Sequence, residues 1–477
     1  MLTRTILLFL LLAGTGLAQA QDREAARDKN VLLILVDDLR PAIGAYGDAL
    51  AVTPHIDRLA EAGVVFHRAY TNVPVCGASR ASMFSGLAPT PSRFVSYDSR
   101  IDVDVPDSIS MPLFFKQRGY SVRGAGKVLD GVDDSVDHWS EAIWNPVDQW
   151  QSPVVADSRR NELQKAYLST EEGELGPAFE RLDVADNAYP DGQLTDHAIE
   201  QFTRLQRADA PFFFAIGFRK PHLPFNAPEK YWQMFQREMF AMPRTWQVPR
   251  SPRQAFHNSP ELRAQYLGYP RGSEITTAQA QELMHAYYAS VSYIDAQIGR
   301  LMNALDRLGL SESTTIVLVG DHGWNLGEHG MWTKHNLFEE AMRVPLIVVD
   351  GVHKGDSEVV VDLLDVFPTL AGSEARDLNL DGEPLPMLGG KGKGYSVGRF
   401  LDGETVRSAR YRYSQWYDSN GDVVAAQLHD LGQDPASEHN IVEELDGVVR
   451  ELQQVLGKRY EPIPAAVIQG GARLRSF

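Results

Sequence analysis

The sequence predicts an α/β chain in which a large mixed, mostly parallel sheet lies between helices, followed by a small α+β domain with an antiparallel sheet. Three observations carry this. The segments "NVLLILVDDL" (30–39), "PFFFAIGF" (211–218) and "STTIVLVGDHG" (313–323) are continuous apolar runs ending in polar residues, the form of strands buried on both faces of a parallel sheet. Helical patterns lie between them, so strands and helices alternate. Beyond a Gly/Pro-rich stretch, "ARYRYSQWYDSNGDVVAAQLHDL" (409–431) reads as strand, Asn-Gly turn, strand, a hairpin signal.

In chain order, Arg4, the apolar run Ile6 to Leu12 and Ala18-Gln19-Ala20 form a signal-peptide layout (1–20) with cleavage expected after Ala20. The run is too short to span a bilayer and no later segment reaches the roughly 20 apolar residues that spanning requires, so an exported chain with no membrane span is expected. Helices are expected at 54–63, 110–119, 195–206 and 280–309. The catalytic domain is expected over 21–372, a linker over 373–404 ("GSEARDLNLDGEPLPMLGGKGKG" at its start), and a small C-terminal domain over 405–477, closed by a helix around "EELDGVVRELQQVLGKRY".

A net charge of −17 argues against nucleic acid as a partner and requires any anionic substrate to meet a local cationic pocket. The chain has one cysteine, Cys76. In an oxidising compartment it cannot form an intramolecular disulfide, so it is a buried spectator, an intermolecular linker or a chemically used group.

Ligands of open α/β sheets collect at the carboxyl ends of the strands. Asp37-Asp38 and Asp321-His322 fall there. Either pair alone reads as a cap or turn; two acidic strand ends in one sheet fit a hard divalent cation, calcium or magnesium, better than two independent caps. "PVCGASRASMFSGL" (74–87) reads as a loop leading into a short helix that stops at Gly86. A thiol at that helix N-terminus beside Arg80 is expected to have a lowered pKa and to sit where anions bind. Arg80, Lys127, Lys220, His222, Lys334 and His335 each lie just past or between sheet elements and together suggest a pocket for a tetrahedral anion.

Taken in order, "VLLILVDDLRPAIGAYGD", "VCGASRASMFSG", "GKV", "KPHLPF", "GDHGWNLGEHGMWTKHNLFEEAMRVPLIV" and "LHDLGQDPASEHN" resemble the type I (formylglycine-dependent) sulfatases of the alkaline phosphatase superfamily. "DDLRP", "RKPHLPF", "YYASVSYIDAQIGRL" and "DHGWNLGEHG" are most similar to the iduronate-2-sulfatase group. The resemblance implies the alkaline-phosphatase-like sulfatase fold and conversion of Cys76, within "CGASR", to 3-oxoalanine (formylglycine) by a maturation enzyme. It implies one calcium ion held by Asp37, Asp38, Asp321, His322 and the modified Cys76, Arg80 anchoring the formylglycine, and Lys127, His222 and Lys334 holding sulfate and assisting the leaving oxygen.

A hydrated aldehyde suits this chemistry because it has two hydroxyls on one carbon: one attacks sulfur, and the other later expels sulfate. Two departures stand out. Ala78 replaces the usual proline, and "GKVLDG" has Leu129 and Asp130 where the family has a histidine, leaving Asp130 or His138 as the base for sulfate release. The implied substrate is a sulfated carbohydrate, uronate 2-O-sulfate being the one the resemblance suggests, with specificity in the loops at 87–110, 138–190 and 235–275. The other readings are a phosphoester or phosphonate hydrolase and a silent glycan-binding protein in which Cys76 stays a thiol. The leader and the lack of Asn-x-Ser/Thr sequons favour a bacterial periplasmic or secreted setting.

Overall fold

On strand β1 (Asn30–Val36), Leu32, Ile34 and Val36 enter one core while Val31, Leu33 and Leu35 enter another, as the two-residue period of a strand requires. The run is apolar throughout because both of its faces are covered. The computed structural model describes residues 29–131, 133–146, 176–247, 252–257, 259, 261–269 and 273–457. The expected leader and parts of the expected specificity loops lie outside these residues.

The chain continues through α1 (Pro54–Ala62), β2 (Val64–Phe66), α2 (Cys76–Ser85), α3 (Met111–Gln117) and β3 (Ser121–Gly126). Next come α4 (Pro190–Leu205), β4 (Phe212–Phe218), α5 (Thr277–Leu308), β5 (Thr314–Gly320), β6 (Leu346–Val349) and β7 (Gly355–Ser357). The sheet order is β7-β2-β6-β5-β1-β4-β3. β5, β1, β4 and β3 run parallel, whereas β6 is antiparallel to both β5 and β2. The sheet is therefore mixed, with a parallel centre. Val36 pairs with Gly320 on one side and Phe218 on the other, and Gly126 pairs with Gly217. The four parallel strands thus end level, and Asp37, Lys127, Arg219 and Asp321 leave the sheet along one edge.

Helices α1, α4 and α5 cover one face, and α2 and α3 the other. Helix α5 starts at a capping box between Thr276 and Gln279 and stops at Gly309, φ +66°, the left-handed conformation that glycine adopts freely. Its Asp295 accepts the N–H groups of Ile56 at 2.7 Å and His55 at 3.0 Å, capping α1 from another element. Gly217 is required by packing: a Cβ there would lie 1.9 Å from the Lys127 carbonyl oxygen.

The antiparallel sheet runs β8 (Tyr395–Phe400), β9 (Gly403–Ser408), β10 (Tyr411–Tyr417) and β11 (Val423–Asp430) in order, with α6 (Asp446–Leu456) packed on it. Its first strand falls inside the stretch expected as linker over 373–404. Tyr395–Phe400 pairs residue by residue with Gly403–Ser408, so the glycines before it mark the end of the loop. Glu339 ties this sheet to the large one by accepting from Arg407 Nε at 2.9 Å and Arg412 Nη2 at 2.6 Å. Among the described residues no helix is long and apolar enough to cross a membrane.

Candidate active site

The strand ends put two adjacent carboxylates at the centre of the site. Asp37 and Asp38 are both fully buried. Asp37 Oδ2 accepts from Lys127 Nζ at 2.7 Å and Asp38 Oδ1 from Lys334 Nζ at 3.2 Å. Asp37 Oδ1 and Asp38 Oδ2 accept no hydrogen bond. Asp38 turns out of the strand with φ +59°, a conformation that aspartate tolerates better than most residues. The turn is held by its own N–H, which donates to Asp321 Oδ1 at 3.1 Å, and by Tyr287, whose hydroxyl donates to the Asp38 carbonyl at 2.7 Å.

Helix α2 brings Cys76 to these carboxylates. Every residue of the helix is buried, and Gly77 is obligatory because a Cβ there would lie 1.9 Å from the Tyr97 carbonyl oxygen. His322 Nε2 lies 3.1 Å from Cys76 Sγ, and its Nδ1 lies 3.1 Å from the Gly323 carbonyl oxygen and 3.3 Å from Asp38 Oδ1. Ligand atoms of Asp37, Asp38, Cys76 and His322 all lie within 4.8 Å of one another. Asp321 stands beside this group, its Oδ2 3.6 Å from His322 Nε2. Its Oδ1 also accepts from the His322 N–H at 2.9 Å, and its Oδ2 from Arg80 Nε at 2.8 Å.

The cations converge on the same place. Arg80 donates from Nη1 to the carbonyls of Lys127 and Val128, and its Nη2 is 3.7 Å from Asp37 Oδ1. Lys127 Nζ is also 3.1 Å from Asp130 Oδ1. His222 Nδ1 is 2.6 Å from the Leu223 carbonyl oxygen, while its Nε2 faces Glu261 Oε1 at 3.1 Å and Asp38 Oδ2 at 3.9 Å. Lys334 Nζ reaches both oxygens of Glu261 at 3.4 Å. Behind it, His335 stacks on Phe400 from β8, ring centroids 5.5 Å apart at 4°, with His257 edge-on to the same ring.

Burial pushes the Asp37 carboxyl up, but Lys127, His222, Arg80 and Lys334 outweigh it and hold its pKa well below the usual range. Asp38 goes the other way: burial, reinforced by Asp37, outweighs Lys334 and His222 and raises it. Burial also acts on Lys334, yet Asp38, Cys76 and Glu261 keep its pKa well above the ordinary lysine value. One adjacent carboxylate is thus charged and compensated, and its neighbour is short of positive charge.

Three expectations change. The Cys76 thiol is pushed well above its ordinary pKa, first by burial and then by Asp37, which outweigh Lys127 and Lys334; Arg80 spends its hydrogen bonds on Asp321 and backbone carbonyls. His138 is not in the site: its Nδ1 lies 2.8 Å from Ser110 Oγ at the N-terminus of α3. Lys220 stands behind the pocket, with Nζ donating to the His222 carbonyl at 2.8 Å and its pKa pulled down to about 8 by burial. Asp130 is adjacent to the pocket through Lys127.

Two site residues escaped the sequence. Glu261 bridges His222 and Lys334, and Asp191 on α4 accepts the N–H groups of Arg219 at 2.9 Å and Lys220 at 3.0 Å, fixing the loop that carries His222. Asp38, His222 and Glu261 form a second close acidic group, but the Lys334 ammonium already bridges Asp38 and Glu261. Among the described residues, the cluster of Asp37, Asp38, Cys76 and His322 could hold a metal ion.

A family model described as Sulfatase matches residues 29–373. Iduronate 2-sulfatase of Homo sapiens is 29% identical over 513 residues, covering 88% of this chain and 92% of its own. The crystal structure of a phosphonate monoester hydrolase of Agrobacterium radiobacter aligns with a TM-score of 0.72 at 24% identity, over 91% of this chain and 96% of that one. A 2-O GAG sulfatase aligns at 0.68 and 20% identity, over 94% of each chain. These likenesses share the alkaline-phosphatase-like architecture. With the family model spanning the parallel sheet, α2 and every strand end that feeds the site, the chain belongs to the sulfatase family and is an enzyme of sulfate-ester hydrolysis.

Proposed function

We propose that the chain removes sulfate from a sulfated carbohydrate, using one calcium ion held by Asp37, Asp38, Asp321 and His322 and a formylglycine made from Cys76. The observation that carries this reading is the pair of buried carboxylate oxygens without hydrogen bonds, Asp37 Oδ1 and Asp38 Oδ2, on the two carboxylates that cluster with Cys76 and His322. A thiol is a soft donor at odds with this carboxylate set; an oxidised Cys76 presents oxygen instead and makes the set suitable for a hard cation. When present, the ion supplies Lewis acidity and the hydrated aldehyde supplies the attacking oxygen.

The chain's own residues do the rest. Lys127 on Asp37 and Lys334 on Asp38 flank the carboxylate pair and can share the equatorial sulfuryl oxygens, where charge gathers as the ester bond breaks. His222 directs Nε2 into the pocket because Nδ1 is committed to the Leu223 carbonyl. A proton on Nε2 is placed for the departing sugar oxygen, which leaves poorly as an alkoxide. Arg80 locks α2 to the ends of β3 and β5, fixing the position of residue 76. Asp130, beside Lys127, is the base proposed for sulfate release.

The names of the relatives, iduronate 2-sulfatase and 2-O GAG sulfatase, make a uronate 2-O-sulfate the first substrate to assay. Export through the leader at 1–20, to a periplasmic or secreted setting, and modification by a formylglycine-generating enzyme belong to the same reading. The test is intact-mass analysis of the Cys76 peptide from the native host together with sulfate release from the glycan. Conversion lowers the peptide mass by about 18 Da, and release is expected to require calcium. An unconverted thiol in an active preparation sinks the reading.

A further inference from the structure

Glu261 heads a short helix, Glu261–Gln265, and its carboxylate points inward with only 12% of the side chain exposed. It lies 3.1 Å from His222 Nε2 and forms an ion pair with Lys334 Nζ at 3.4 Å. Burial pushes its pKa up, but Lys334 and His222 outweigh burial and hold it well below the usual range, so it is an anion at neutral pH. These two partners are the groups that the functional reading above assigns to the sulfate ester, and the inference rests on that reading.

The geometry makes Glu261 a competitor. His222 has one ring nitrogen facing the pocket, and a single N–H cannot serve both the Glu261 carboxylate and an oxygen of the substrate. Lys334 divides its donors between Asp38 and Glu261. Lys127 is likewise held by Asp37 and Asp130, and Arg80 by Asp321. Lys127, Lys334 and Arg80 are therefore each already paired with a carboxylate, although the substrate is itself an anion. Among the described residues that close the pocket, Glu261 is the carboxylate outside the strand ends that contacts both anion-binding groups.

We infer that Glu261 is the resident counter-anion of the sulfate pocket, displaced by the incoming sulfuryl group and returning to His222 and Lys334 as inorganic sulfate leaves. Glu261 then sets the affinity of the pocket for sulfate and protects the enzyme from its own product. Its removal strengthens binding of any small tetrahedral anion, because the buried Lys334 ammonium and the pocket-facing His222 nitrogen lose their internal partner.

The test titrates sodium sulfate into the converted full chain, in calcium chloride, by isothermal titration calorimetry. Glu261→Gln is expected to bind inorganic sulfate about tenfold more tightly than the wild type, or better. Glu261→Ala is expected to do the same and serves if the glutamine variant does not fold. Glu261→Asp, which keeps the charge, is expected to stay within about threefold of wild type. In the converted enzyme, sulfate should inhibit Glu261→Gln at lower concentration and the KM for a sulfate ester should fall without a rise in kcat. Unchanged or weaker sulfate binding in both neutral variants overturns the inference, while calcium-dependent ester cleavage by the wild type leaves the functional reading standing. A converted chain that cleaves no sulfate ester overturns both.

Discussion

Arg80 Nε donates to Asp321 Oδ2 at 2.8 Å with both side chains fully buried. The pair joins α2 to β5, and the same guanidinium reaches the carbonyls that follow β3. Three elements distant in sequence are thereby held in one fork. Arg80→Ala leaves Asp321 buried without its partner, which is expected to cost about 3–5 kcal/mol of stability. Arg80→Lys keeps the charge but loses the planar fork, so kcat/KM is expected to fall at least about 100-fold with a smaller stability loss. Urea unfolding and steady-state kinetics on the two variants check this; a lysine variant with wild-type rates contradicts it.

Removing the proposed calcium ion should be felt in stability as well as in rate. Asp37 and Asp38 are adjacent buried carboxylates with opposite pKa displacements, and a bound cation at 100 times its Kd adds about 2.7 kcal/mol. EDTA is expected to lower the melting temperature and abolish ester cleavage, and excess calcium to restore both. Asp38→Asn should lose the calcium-dependent rise in melting temperature. A chelated protein with the original melting temperature and rate excludes the site.

His222 is proposed to serve the leaving group and not the attack. His222→Ala is therefore expected to lose about 100- to 10,000-fold on a sugar sulfate and much less on an aryl sulfate, whose phenolate departs unaided. Equal losses on both substrates would reassign His222 to sulfate binding.

Asp295 gives a pH prediction remote from the site. Burial raises its pKa from 3.8 to about 7, against the opposing pull of the Ile56 and His55 N–H groups. An acid that titrates higher folded than unfolded favours the folded state fully below about 4, where both forms are protonated. That advantage is lost as pH rises through about 7, since the unfolded chain ionises first. Stability should fall across this window by an amount on the order of a few kcal/mol. Asp295→Asn, which still offers an oxygen to the N-terminus of α1, should flatten the slope. Guanidinium unfolding at several pH values measures it.

The strand-end acids were legible because continuous apolar runs such as Asn30–Val36 stop abruptly at Asp37, and the parallel sheet fixes which edge those residues share. Cys76, Arg80, Lys127, His222 and Lys334 were legible as a set through their ordered motifs. Glu261 was not: an acidic residue at the start of a short helix reads as a solvent-facing cap, and only its contacts with His222 and Lys334 reveal otherwise. The direction of the Cys76 pKa was misread for a related reason. Spacing puts Arg80 one helical turn from the thiol, whereas burial and the facing Asp37 decide the charge, and neither is local. The start of the small sheet was missed because Gly392 and Gly394 mask the strand that begins at Tyr395.

Phe400 stacks on His335, the neighbour of Lys334, although the two rings come from opposite sides of the long connecting loop. The small sheet is thus a wall of the active centre. Exchanging residues beyond 394 between two members of the family would alter the seat of Lys334 without touching any motif residue around the strand ends. A chimera that folds well and turns over poorly is the signature to look for, and refitting the aromatic ring at position 400 is the repair.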